Sequence, residues 1–129
     1  MPLARISVPA HMPAEKVAAL TNAVQAALVS ACDVPENERF QLVSRFAEPD
    51  MIIDPTFPNV RRTADASIVE ITLLAGRTDD KKRALYKSIV AGAVAGGFRP
   101  DDVMVALVEN TPIDWSLGRG EAFATHKAD

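Results

Sequence analysis

Pro2 is the residue whose type and position together first suggest reactivity, in the opening run Met1-Pro2-Leu3-Ala4-Arg5-Ile6-Ser7-Val8. Proline lacks a backbone N–H and is confined in sheets to strand starts, edges and bulges, so here it can simply open a strand. It can also do more. A small second residue permits removal of Met1, which would leave the proline nitrogen as a free secondary amine beside a sheet. An ordinary α-amino group titrates near pH ~8; burial lowers that value and a nearby carboxylate raises it. Such an amine can act as base, acid or imine former. With Met1 in place the same nitrogen is an amide without basicity, so an intact-mass measurement separates the two readings.

The other reactive residue types form no competing set. Cys32 is the only cysteine, which excludes an intrachain disulfide or a Cys-based zinc site and suits a reducing compartment. It sits at the apolar end of a predicted helix, as a buried, inert thiol would. His11 and His126 are not spaced as a ligand pair, and neither a Ser/His/Asp set nor a phosphate loop is present. No metal or cofactor is expected. Fourteen basic against seventeen acidic residues give a net charge of −3, which argues against nucleic acid or an anionic membrane as partner. The pair Arg61-Arg62 is too short to overturn that. No apolar segment of the signal-peptide kind follows Arg5, and no run approaches the ~20 residues that span a bilayer. The expected location is cytoplasmic.

The 129 residues, 48% of them hydrophobic, suit one domain burying roughly two-thirds of its unfolded surface. Residues 2–9 alternate weakly and predict a strand. Pro13 and Glu15 open a helix, and Val17, Leu20, Val24, Ala27, Leu28 and Ala31 give it one apolar stripe. A turn at 33–38 leads to a second strand over 39–47. The stretch 48–66, with Pro49, Pro55 and Pro58, reads as an ordered loop with room for a short hairpin at Met51-Ile52-Ile53. Ser67 to Leu74 is nearly continuously apolar, as in a strand buried on both faces. Thr78 can cap a helix that runs through Leu85, Ile89 and Ala93 and stops at Gly96-Gly97. A turn at Pro100-Asp101-Asp102 precedes a strand over 103–108, and the tail carries Trp115 and the turn Gly118-Arg119-Gly120.

These two passes match. Pro35-Glu36 and Pro100-Asp101 lie 65 residues apart, as do Glu15-Lys16 and Asp80-Lys81. A strand, helix, acidic turn, strand unit has been used twice, over about 2–47 and 67–109, with a C-terminal tail. Two βαβ units with right-handed crossovers imply an α/β (α+β) fold, a four-stranded sheet with both helices on one face. Strands this apolar need a cover on the other face, which predicts an oligomer.

The amino-terminal Pro2, the duplicated βαβ unit and an arginine just after the third main strand together resemble the tautomerase superfamily. The likeness is nearest to its malonate semialdehyde decarboxylase branch and covers almost the whole chain. It is carried by Val34-Pro35-Glu36-Asn37-Glu38-Arg39-Phe40-Gln41, Arg77-Thr78-Asp79-Asp80, Tyr86-Lys87, the run from Pro100 to Asn110, and Asp114-Trp115-Ser116-Leu117-Gly118-Arg119-Gly120. The resemblance implies a homotrimer with a proline site near each subunit boundary and no cofactor or metal. In that branch an acidic residue follows the Val-Pro turn, which corresponds to Glu38 where the pattern has aspartate. Two arginines follow the third strand: the second corresponds to Arg77, and the first falls at Ala75. A charge-assisted hydrogen bond contributes about 1.5–3 kcal/mol, so its loss would cost roughly ten- to a hundredfold in activity unless replaced.

On this resemblance Pro2, Glu38 and Arg77 are the expected catalytic residues, and Arg77 would also grip the carboxylate of a small oxo-acid substrate. Phe40, Trp115, Leu117 and Phe123 would wall the substrate site and dry it. Two reactions use the same parts. A cationic Pro2 would assist decarboxylation of a 3-oxo acid, and a neutral Pro2 would move a proton as in phenylpyruvate-type keto–enol tautomerases. Arg119 reads as turn decoration more readily than as a substitute cation. A third reading keeps the fold as a non-enzymatic interaction protein with a vestigial pocket.

Overall fold

Each repeat folds as its periodicity predicts. The computed structural model describes residues 1–123; His126 lies outside the described residues. The first repeat forms β1 (Leu3–Pro9), α1 (Ala14–Cys32) and β2 (Gln41–Phe46), and the second forms β3 (Ser67–Leu74), α2 (Asp79–Ala95) and β4 (Val103–Asn110). The sheet order is β2-β1-β3-β4. Strands of one repeat pair in parallel across their helix, and β1 meets β3 antiparallel in the middle. In that central pair Arg5 stands opposite Glu70. These two residues are also each other's counterparts in the repeat, so an approximate twofold axis passes between them.

The helices cover one face. Ile6, Leu20, Leu28, Ile71, Leu85 and Ile89 are fully buried there, and each such side chain contributes about 1.5–3 kcal/mol. The expectation that β3 is buried on both faces holds for one face only within the chain. Ser67, Val69, Ile71 and Leu73 are buried, whereas Ile68, Thr72 and Leu74 are half-buried and Glu70 is exposed. Leu42, Met104 and Val108 leave the same outer face apolar and exposed.

Local signals set the helix ends. Pro13 stands at the N-cap of α1, and Asp33 ends that helix in the left-handed region with φ 57°. The Thr78 hydroxyl accepts the Lys81 amide at 3.2 Å, capping α2. Small residues let the helices approach closely: a Cβ on Gly92 would lie 2.7 Å from Ala23 Cβ and 3.3 Å from its Cα. Gly92→Ala should therefore lower stability by about 1–3 kcal/mol through overpacking, against the gain of ~1 kcal/mol that helix propensity alone offers. Urea denaturation reads the sign directly.

The loop 48–66 contains no hairpin. Glu48–Asp50 forms a single helical turn, and Met51 to Ile53 run without strand partners. Prolines on both sides remove ladder donors, and Asp54 instead accepts the amides of Thr56 and Phe57 at 3.0 and 2.8 Å. The loop is tied to the second repeat by Asp102, 1% exposed, whose carboxylate accepts the Thr63 amide at 2.7 Å and its hydroxyl at 2.6 Å. A second tie is Asp65, which takes Lys16 Nζ at 2.9 Å and His11 Nε2 at 2.8 Å. The hydrogen bonds from Lys16 and then His11 hold the Asp65 carboxyl below its ordinary range. A depressed carboxyl stabilises the fold above its unfolded value of ~3.9, and that contribution is lost as pH falls through the lower folded value. The stability difference between wild type and Asp65→Asn should therefore be greater near neutral pH than in acid below the unfolded value of ~3.9, and shrink as pH falls. Denaturant melts at the two pH values check this. No helix among the described residues is long and apolar enough to cross a membrane.

Candidate functional site

One end of the sheet gathers the residues singled out above. There β1 begins, β3 and β4 finish, the segment before β2 passes, and α1 ends beside the start of α2. Pro2 is fully buried at the start of β1, and the Ala4 amide donates to the Phe40 carbonyl at 3.0 Å, locking that start to the approach of β2. The turn before β2 is closed by the Glu38 amide on the Pro35 carbonyl at 3.0 Å. The Gln25 side chain, buried on α1, donates to the carbonyls of Glu36 and Glu38 at 3.5 Å each. These contacts place the Glu38 carboxylate 3.5 Å from the Met1 amino group, with the carboxylate side chain 37% exposed. The charged amine closest to Glu38 is thus that of the residue bonded to Pro2, and cleavage of Met1 would make the proline nitrogen the amino terminus at this place.

Arg77 reaches the same end from the segment after β3. Its Nη1 donates to the Leu74 carbonyl at 3.0 Å and its Nη2 to the Cys32 carbonyl at 3.4 Å. The buried Nε has no partner among the described residues. The guanidinium is therefore held in a fixed plane between the end of β3 and the C-terminus of α1, where the helix dipole favours a cation. Burial pushes the Cys32 thiol up, with neighbouring Arg77 opposing that shift in part, which fits an inert thiol. No hydrogen bond joins Arg77 to Glu38 among the described residues. Ala75, in the position of the absent arginine, is exposed and donates its amide to the Asn110 carbonyl at 2.8 Å.

Of the four residues expected to wall the site, Trp115 and Phe123 are joined through the backbone, and Phe40 and Leu117 are exposed. Trp115 is half-buried, its Nε1 bonded to Asn110 Oδ1 at 2.7 Å, and its carbonyl accepts the Phe123 amide at 2.8 Å. Phe40 and Leu117 are 46% and 49% exposed, so within one chain they border solvent. Gly118 and Gly120, with Arg119 in the left-handed region at φ 61°, form a turn beyond them. Sequence reasoning missed three supports at this end: Gln25 behind the Glu38 turn, Asn110 behind Trp115, and the pair Glu109–Lys82 at 2.8 Å. The Lys82 hydrogen bond holds the Glu109 carboxyl below its ordinary range and keeps Lys82 above its own. Only the polar identity of these residues could have flagged them; their partners come from other elements. Among the described residues no cluster of His, Cys, Asp and Glu could hold a metal ion.

The geometry has counterparts of known identity. The family model described as "Tautomerase enzyme" matches residues 38–118. The probable tautomerase YrdN of Bacillus subtilis is 32% identical over 129 residues, covering 98% of this chain and 99% of that protein. Among solved structures, malonate semialdehyde decarboxylase, studied in wild-type, mutant and inactivated forms, superposes with a TM-score of 0.88 at 32% identity, covering 95% of this chain and 96% of that one. The FG41 malonate semialdehyde decarboxylase inhibited by 3-bromopropiolate gives a TM-score of 0.87 at 30% identity over 92% and 91% of the two chains. The chain belongs to the tautomerase superfamily, and resembles in particular its malonate semialdehyde decarboxylase branch.

Proposed function

We propose that the protein, after removal of Met1, is a cofactor-independent decarboxylase of a small 3-oxo acid such as malonate semialdehyde, with the Pro2 amine as catalyst. The observation that carries this reading is the placement of the amino terminus: Pro2 is buried at the start of β1 with the Glu38 carboxylate beside it. An adjacent carboxylate favours the protonated amine. Arg77, held by the Leu74 and Cys32 carbonyls, binds the substrate carboxylate with the remaining N–H groups of its guanidinium. The bond between that carboxyl carbon and the α-carbon breaks, its electron pair moves toward the aldehyde carbonyl, and cationic Pro2 donates a hydrogen bond to the developing enolate. Protonation of the α-carbon then yields acetaldehyde beside carbon dioxide. Trp115, with Phe40, Leu117 and Phe123, excludes water from this step.

A second reading is favoured by position 75. With alanine there, one guanidinium serves the site, and it already holds two backbone carbonyls. A site with a single anchoring cation suits keto–enol tautomerisation of an arylpyruvate, in which Pro2 carries a proton between oxygen and carbon and no carboxylate need be expelled. In both readings the apolar outer face of the sheet is covered in a homotrimer in the cytoplasm. Proton NMR of the processed protein with malonate semialdehyde separates the two. Acetaldehyde formation, reduced roughly ten- to a hundredfold by Arg77→Met, is the expected result. Absence of acetaldehyde alongside turnover of phenylenolpyruvate would establish the tautomerase instead.

A further inference from the structure

A cavity lies at the far end of the sheet from Pro2. It holds about 270 Å3 beneath the loop 48–66, where β1 and β2 finish and β3 begins. Phe46, Met51 and Ile53 give it apolar walls, and Arg62, Glu48 and His11 give it polar ones. Its size is just below the ~300–1,000 Å3 of ordinary ligand pockets, which suits a compact molecule. Arg62 is the distinctive element. Its Nη1 is tethered to the carbonyls of Asp54 and Phe57, its buried Nε has no partner among the described residues, and its charge reaches the Asp54 carboxylate only through space, without a direct ion pair. A guanidinium held rigid by its own loop, with no carboxylate in direct contact, can still take a bidentate partner.

The axis between Arg5 and Glu70 carries the Pro2 end of the sheet onto this end. Under it Ser67 replaces Pro2, and Met12 replaces Arg77. Val103 replaces Glu38, and the neighbouring Asp102 has its carboxylate engaged by Thr63. The groups of the Pro2 end are therefore absent here: Ser67 is amide-linked within the chain, a valine stands for the acid, and the cation comes from the connecting loop.

We propose that this cavity binds a small monocarboxylate with a branched or aromatic body, its carboxylate on Arg62 and its body against Phe46, Met51 and Ile53, and that it does so without turnover. The inference stands apart from the proline reading. It is tested by titrating the processed protein with phenylacetate in 1H–15N correlation spectra. Saturable shifts are expected at the amides of Met51, Ile53 and Thr63, and they should persist in Arg77→Met, which removes the carboxylate grip at the Pro2 end. Arg62→Met should weaken binding at least ~10-fold, the equivalent of one charge-assisted hydrogen bond. Glu48→Gln should tighten it by removing a like charge, and Ile53→Trp should abolish it by filling the space. The last two keep the test decisive if Arg62→Met loosens the loop. Shifts confined to the Pro2 end, no saturable shift, or undiminished binding by Ile53→Trp would overturn the proposal.

Discussion

Pro2→Ala is expected to lower kcat by about 10²–10⁴-fold, the usual worth of a positioned proton-transfer group, with KM nearly unchanged. Alanine still permits Met1 removal, so the variant retains an amino terminus but exchanges a ring-fixed secondary amine for a freely rotating primary one. The fold should tolerate the exchange, because the start of β1 is held by the Ala4 amide on Phe40 and by the β1–β3 ladder rather than by the proline. Substrate binding should persist because the arginine fork at the end of β3 is anchored independently on Leu74 and Cys32. The measurement is steady-state kinetics by NMR with matched circular dichroism and intact mass for both proteins. An equal loss from a variant that retains Met1 would show that the nitrogen matters only as a free amine.

The second large effect falls on stability. Asp102→Ala should cost about 3–5 kcal/mol, because it removes two charge-assisted bonds of about 1.5–3 kcal/mol each from a buried carboxylate. Asp102→Asn, which keeps one acceptor, should lose less. Urea unfolding gives both values, and hydrogen exchange should show the 48–66 loop opening first in the alanine variant, since its buried tie to the second repeat is lost while the exposed bonds of Arg61 to Asp101 and Arg99 remain.

The regular elements were legible because each carries its own signal. Ser67 to Leu74 was bounded correctly by β-branched composition, and α2 by the Thr78 cap and the Gly96-Gly97 stop. The stretch 48–66 is the ordered loop its prolines predict, and the hairpin that the two β-branched residues of Met51-Ile52-Ile53 invite does not form, because the neighbouring prolines withhold ladder donors. Ile52, 92% exposed, shows how little that local preference commands without a partner strand. At the candidate site, the placement of Glu38 beside the amino terminus followed from the resemblance and from the turn that precedes β2. The attachment of Arg77 to Cys32 did not, since it depends on where α1 ends in space. Asp102 read as one of two acids in a turn, and only the returning loop explains its burial. The cavity at the far end has no sequence motif, because its walls come from β1, β2 and a loop without periodicity.

The pairing of Arg5 with its own repeat counterpart Glu70 has a consequence for stoichiometry. A polypeptide has a single amino terminus, whereas a duplicated unit has two equivalent strand starts. If reactivity belongs to a terminal nitrogen, an assembly of unfused repeats would have one such nitrogen per repeat, and the fused chain has one per two. Fusion would thus halve the number of reactive centres for a given mass of protein. In return, the two ends of the sheet are encoded separately and are free to diverge, so that one can change its specificity without any corresponding change in the other.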